Sequence, residues 1–155
     1  MTNLIEKIVS GGQTGVDRGA LDAARLSGID HGGWCPRGRR AEDGCIPDQY
    51  KLKETKSADY SVRTEQNVLD SDGTLIVYRD KLRGGTELTR RLAKRHGRPC
   101  LLLNLADPLP ANAVWQWIAD EEVQILNVAG PRESSSDGIS DETRQLLAEL
   151  LNHPR

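Results

Sequence analysis

Two glycine-rich turns, with the acids and arginines beside them, offer this chain's most pointed chemistry. In residues 8–24, IVSGGQTGVDRGALDAA, a short apolar strand (Ile5, Ile8, Val9) passes through Gly11, Gly12, Gln13, Thr14 and Gly15. It leads straight into a helix with a small packing face of Ala20, Ala23 and Ala24. Such a junction leaves backbone N–H groups free at a helix N-terminus whose dipole favours negative charge, so a phosphate or similar anion is the expected guest. The pattern is not a Walker loop, because no Lys-Ser/Thr pair follows the last glycine, and it holds only the trailing G-x-x-G of the dinucleotide fingerprint. A plain strand-to-helix turn explains it equally well.

The second turn, Gly84-Gly85-Thr86-Glu87, opens another helix, with Thr86 as the expected N-cap and Glu87 complementing the dipole. A third turn carries Gly130, Pro131, Arg132, Glu133 and Ser134. Glu87 and Glu133 are the candidate catalytic residues, as an acid–base pair or as a grip on a ribose hydroxyl; Glu87 is equally explained as a helix-start residue. Between the first and second turns, residues 36–47 form a long Gly/Pro-broken loop with Arg37, Arg39 and Arg40, which can clamp phosphate oxygens or simply keep a loop soluble. His31, His96 and His153 lack metal-site spacing, so no metal site is expected. The odd set Cys35, Cys45 and Cys100 has no C-x-x-C pair and reads as small semi-buried thiols.

The elements that must position these groups alternate. Strands are predicted at residues 5–9, 29–35, 73–78, 99–105 and 123–128, and helices from residue 16 to near Gly28, then at 60–69, 84–96, 110–121 and 140–151. Residues 134–136, all serine, are expected to be mobile. Trp115 and Trp117, two apart on one helix, cannot both face the core, so one is a half-exposed ring or a subunit contact. Alternation of this kind implies an α/β, Rossmann-like, doubly wound and mostly parallel sheet of about five strands, with helices on both faces. The glycine turns then share the carboxyl edge of the sheet, where such folds bind ligands.

Length and charge bound the remaining possibilities. The 155 residues suit one domain. Charged residues make up 28% and the net charge is only −2, so no global field recruits nucleic acid or a membrane surface. Residues 79–98 hold eight basic side chains against two acids, a block that partly coincides with a helix and reads mostly as a solvated face. With no leader pattern and no apolar run long enough to span a bilayer, a cytoplasmic protein is expected.

Five segments in order carry a family resemblance: SGGQTGVDRGALDAA at 10–24, GWCPRGRRAEDG at 33–44, YSVRTEQNVLDSDGTLI at 60–76, GGTELT at 84–89 and NVAGPRES at 127–134. Together they make the chain resemble the molybdenum carrier family, the molybdenum-cofactor carrier proteins, within the LOG-like Rossmann superfamily. The resemblance implies a homo-oligomer that binds a phosphorylated small molecule, the pterin of the molybdenum cofactor, as a carrier more than as an enzyme. The glycine loops (Gly11, Gly12, Gln13, Thr14, Gly15; Gly84, Gly85, Thr86, Glu87; Gly130) would hold the phosphate, with Arg37, Arg39 or Arg132 neutralising it. The alternative is nucleotide binding or hydrolysis of a nucleotide N-glycosidic bond, as in the LOG hydrolases with their PGGxGTxxE motif. Here Arg83-Gly84-Gly85-Thr86-Glu87 lacks the proline and the spaced second GT, which brings Glu87 closer to the glycines.

Overall fold

Five short strands rich in apolar residues form one parallel sheet in the computed structural model, which describes residues 5–152; His153 lies outside them. The strands are β1 (Lys7–Val9), β2 (Asp30–Gly32), β3 (Gly73–Tyr78), β4 (Cys100–Asn104) and β5 (Ile125–Ala129). The helices are α1 (Val16–Leu26), α2 (Tyr60–Leu69), α3 (Gly84–Arg95), α4 (Ala111–Asp120) and α5 (Ile139–Asn152). The sheet order is β2-β1-β5-β3-β4, every pair parallel, with Ile8 opposite His31 and Leu126, and Leu75 opposite Val128 and Leu101. This is the α/β doubly wound architecture expected from the alternation.

Side-chain alternation along the strands divides the interior. Ile8, Leu75, Val77, Leu126 and Val128 pack against α1, α4 and α5 through Ala20, Ala24, Trp115, Ile118 and Leu147, all buried. Residues of the opposite parity, such as Thr74 and Asn127, face the other layer and are joined by a buried side-chain hydrogen bond of 3.2 Å. That second layer is α2 and α3, which pack against each other. Trp115 is the core ring, while Trp117 is half-buried over Gly73. No helix among the described residues is long and apolar enough to cross a membrane.

Local departures from the expected elements have identifiable causes. The predicted strand at 29–35 breaks at Gly33, whose φ of 121° is open to glycine and to few other residues. Beyond the break Trp34–Cys35 leaves the main sheet and pairs with Lys53–Glu54. Asn67 of α2 holds the departing strand, its amide accepting from the Trp34 N–H (2.8 Å) and donating to the Trp34 carbonyl (2.9 Å). The loop at 36–47 contains a small hairpin of Arg40–Ala41 and Gly44–Cys45. The serines expected to be mobile take part in a single 3₁₀ turn, Glu133–Ser135.

Arg39 is the brace of that loop and not a free phosphate clamp. Its guanidinium donates to the carbonyls of Ile46 (3.2 Å), Pro47 (2.9 Å) and Tyr50 (2.9 Å), so its donors serve its own fold. Tyr50 completes the anchor by donating its hydroxyl to Asp22 at 2.8 Å. Burial, helped by that acceptor, pushes the Tyr50 phenol from 10.0 up to about 12. The native state therefore keeps a proton that the unfolded chain releases near 10, so stability falls as pH rises from 10 towards 12. In a spectrophotometric titration one of the three tyrosines should ionise later than the others, and Tyr50→Phe should remove both that late step and its share of the alkaline loss.

Candidate ligand-binding cleft

In a parallel sheet with right-handed crossovers every helix begins at the edge where the strands end, so the first turns of the helices gather there. The chain runs from β1 outward to β2, crosses to β3, continues outward to β4, and returns to insert β5 in the middle. Where β3 and β5 end, their loops diverge and leave a cleft of about 840 Å³, within the range of small-molecule sites. Its walls come from the segment after β3 (Arg79 to Thr89, without Leu82 and Glu87), the segment after β5 (Ala129 to Arg132, with Ser135 and Ser136) and the first turn of α2.

The cleft carries more cations than anions. Arg63, Arg79, Lys81, Arg83 and Arg132 line it, against Asp17, Asp59 and Asp80. Asp17 is only 3% exposed, and burial pushes its carboxyl above the ordinary 3.8 while Arg63 pulls it the other way. That pair spans 3.4 Å, and the Gln13 N–H donates to the same Asp17 oxygen at 3.1 Å. Next to it a void of about 10 Å³, lined by Asp17, Arg63, Asn67 and Asn127, has room for one water against the Arg63 side chain. Asp59 is occupied as the N-cap of α2, accepting from the Ser61 N–H and hydroxyl.

The two glycine turns diverge in what they offer. After β1, the Gln13 N–H is taken by Asp17, the Thr14 N–H by the Gln13 Oε1 (3.1 Å) and the Val16 N–H by the Pro131 carbonyl (3.2 Å). Gly11 is packed under Arg63 and Gly12 under Leu52 and Ile46, so this turn is a sealed joint and not the anion cradle expected of it. The turn after β3 is open. There α3 starts at Gly84, earlier than the Thr86 cap implies, with Arg83 at the cap and no side chain satisfying the first turn. Gly84 and Gly85 are exposed, and a Cβ on either would meet nothing within 4 Å. Thr86 and Leu88 line the same cleft.

If the last strand–helix unit, β5–α5, is counted first, β1, β2, β3 and β4 become second to fifth and the sheet reads 3-2-1-4-5. That is the order of nucleotide-binding parallel sheets, and the cleft then lies at its switch point between 1 and 4. A model of the circularly permutated YpsA SLOG family matches residues 8–151. The chain belongs to that family. A solved structure, a "putative molybdenum carrier protein" from Syntrophus aciditrophicus SB, is 44% identical and superposes with a TM-score of 0.90, covering 97% of this chain and 96% of that one. No curated protein shows significant similarity.

In this SLOG fold the predicted site residues separate. Gln13, Gly84, Gly85, Thr86, Gly130 and Arg132 line the cleft. Gly130 does so because its backbone presses on the Val77 carbonyl and Val16, where a Cβ would overlap. Arg37, exposed on its loop, is not on the cleft wall, and Thr14 turns its hydroxyl to Glu42. Glu87 lies on the outer side of α3, paired with Arg90 at 2.6 Å, and does not line the cleft. Glu133 caps α5 by accepting from the N–H groups of Gly138 (2.6 Å) and Ser140 (3.1 Å). The two candidate acids are thus a surface pair and a helix cap, each with its own partner. Tyr60, Arg63, Arg79, Lys81 and Arg83 are among the lining residues that the motifs did not single out; the first-turn rule brings Tyr60 and Arg63 to this edge.

Because Asp17 binds its proton more tightly folded than unfolded, the wild type should lose stability as pH rises above 3.8 through the raised value. Denaturant unfolding across that range should show Asp17→Asn gaining on the wild type with rising pH; the opposite slope would remove burial as the dominant influence. Glu133→Gln, by weakening the α5 cap, should cost about 0.5–2 kcal/mol in the same assay.

Proposed function

We propose that this protein is a binding protein for a phosphorylated small molecule, the pterin of the molybdenum cofactor, held with its phosphate at the N-terminus of α3. The observation that carries the reading is the open first turn at Arg83, Gly84 and Gly85, facing a cleft where five cations meet three carboxylates. A helix N-terminus with unclaimed N–H groups and surrounding cations is a site for an oxyanion. The likeness to a protein named for molybdenum carriage points to the pterin as the cargo. The described residues hold no cluster of His, Cys, Asp and Glu fit to grip a metal ion, so in this reading the metal arrives attached to the pterin.

Carriage is favoured over cleavage of a glycosidic bond by the positions of the acids. Glu87 is held by Arg90 and Glu133 by the start of α5, so neither stands against a substrate in the cleft. A nucleotide fits the same phosphate site, and the identity of the bound molecule separates the two cargoes. Mass spectrometry of what denatured, freshly purified protein releases, with molybdenum counted in the same sample, should find a phosphorylated pterin; a nucleotide in its place would overturn the carrier reading.

The phosphate site has its own test. Gly85 has ordinary backbone angles and open space, so Gly85→Asp puts a carboxylate in the first turn of α3, where the dipole welcomes it. The thermal midpoint should hold or rise slightly, since such a charge is worth about 0.3–1 kcal/mol. Phosphate-bearing ligands should lose at least about tenfold in affinity by calorimetry, equivalent to about 1.4 kcal/mol. Unchanged affinity in the folded variant would move the phosphate elsewhere.

A further inference from the structure

The wall of the cleft formed by α2 is built around one aromatic ring. The guanidinium carbons of Arg40, Arg63 and Arg132 lie 5.0, 5.5 and 5.8 Å from the centre of the Tyr60 ring. They come from three separate segments: the hairpin in the 36–47 loop, α2, and the loop after β5; Arg63 and Arg132 line the cleft, and Arg40 adjoins it through the Tyr60 ring. Guanidinium groups are drawn to the negative face of an aromatic ring, while three of them crowded together repel one another. Arg63 has Asp17 as its partner, but neither Arg40 nor Arg132 forms an ion pair among the described residues.

The neighbouring carboxylates are already engaged. Asp59 caps α2, and Glu42 accepts from the Ser134 hydroxyl (2.5 Å), the Ser134 N–H (3.2 Å) and Thr14. A further donor lies on the same cleft. Gln13 is 5% exposed, and its Oε1 accepts from the N–H groups of Thr14 and Glu42, which fixes the amide with Nε2 as a buried, free donor. That Nε2 has no hydrogen-bond partner. Glu42 and Asp59 still carry charge that attracts Arg132 and Arg40, but their oxygens are held by other donors, so the N–H groups of those two guanidiniums remain free at this end of the cleft.

We propose that the Tyr60 cluster is a second anion subsite, separate from the first turn of α3, and that the cleft selects ligands bearing two anionic groups. Tyr60 is the positioning residue: its ring gathers Arg132 and Arg40 so that their remaining N–H groups share one oxyanion, with Gln13 Nε2 beside them. The inference rests on the phosphate site at Gly84 and Gly85 and extends it: one group of the ligand docks at α3 and another at Tyr60. A ligand with a single anionic group would fill only half of what the cleft offers.

A series of α,ω-alkylene bisphosphonates of increasing spacer length, compared by calorimetry with ethylphosphonate, tests this directly. In the wild type one spacer length should bind at least about tenfold tighter than the monophosphonate, since tethering makes the second contact intramolecular. The double variant Arg40→Gln/Arg132→Gln should bring the ratio of the two affinities down to about twofold or less. Tyr60→Leu should lower the ratio as well, and Tyr60→Phe, which keeps the ring, should retain it; thermal midpoints identify any variant that fails to fold. If no spacer exceeds the monophosphonate while Gly85→Asp still abolishes monophosphonate binding, the second subsite is overturned and the phosphate site stands. If Gly85→Asp leaves monophosphonate binding untouched, the phosphate site falls and this inference with it.

Discussion

Two glycines with no room for a methyl group hold the carboxyl edge of the sheet together. A Cβ on Gly15 would overlap the Pro131 carbonyl, and one on Gly130 would overlap the Val77 carbonyl and the Val16 side chain. Backbone meets backbone at these points, and the Val16 N–H closes on the Pro131 oxygen at 3.2 Å. The loops after β1 and β5 are thereby pressed into one unit, which Glu42 ties to the 36–47 hairpin through Ser134, Thr14 and its own N–H on Gln13. With β1 sealed in this way, the open space at the edge falls on the other side of β5, against β3.

The same compression sets the electrostatics. Asp17 is carried under the sealed turn by the start of α1, where it loses water and gains the Gln13 N–H and Arg63 in exchange. Burying a carboxylate is costly unless it is paired and hydrogen-bonded, so Arg63 is held toward the floor; at the rim Arg79 pairs with Glu142, while Arg83 and Arg132 form no ion pair among the described residues. The Arg18 guanidinium is drawn the other way, out to Asp43 in a bidentate pair of 2.5 and 2.8 Å that fastens the hairpin to α1. Of the positive charge near the glycine turns, one part is therefore structural and the other faces the cleft.

The fold was legible because its signals are local and repeated. Residues 73–78 form the strand that the apolar run GTLIVY predicts, and Tyr60–Leu69 is a helix with the predicted bounds. Asp141 and Glu142 mark the start of the last helix. The site was legible only in its location. Glycine spacing cannot tell an open turn from a sealed one, because the difference lies in what packs against it: Pro131 for Gly15, empty space for Gly85. Nor does spacing show that Glu133 reaches forward to the N–H groups of Gly138 and Ser140, or that Arg39 turns inward onto three carbonyls. Tyr60 was missed for a related reason: an aromatic ring at a helix start reads as packing until the topology brings distant arginines to it.

The permuted strand order has a geometric corollary for how this domain can be joined to others. β1 is entered at the edge of the sheet where its strands begin, and α5, running back from the cleft, also finishes at that edge. The two ends of the described chain are thus set back from the cleft by about 10 Å along three-residue β1 and about 21 Å along 14-residue α5. A protein fused before β1 or after α5 would ride on the back of the sheet, leaving the mouth of the cleft clear.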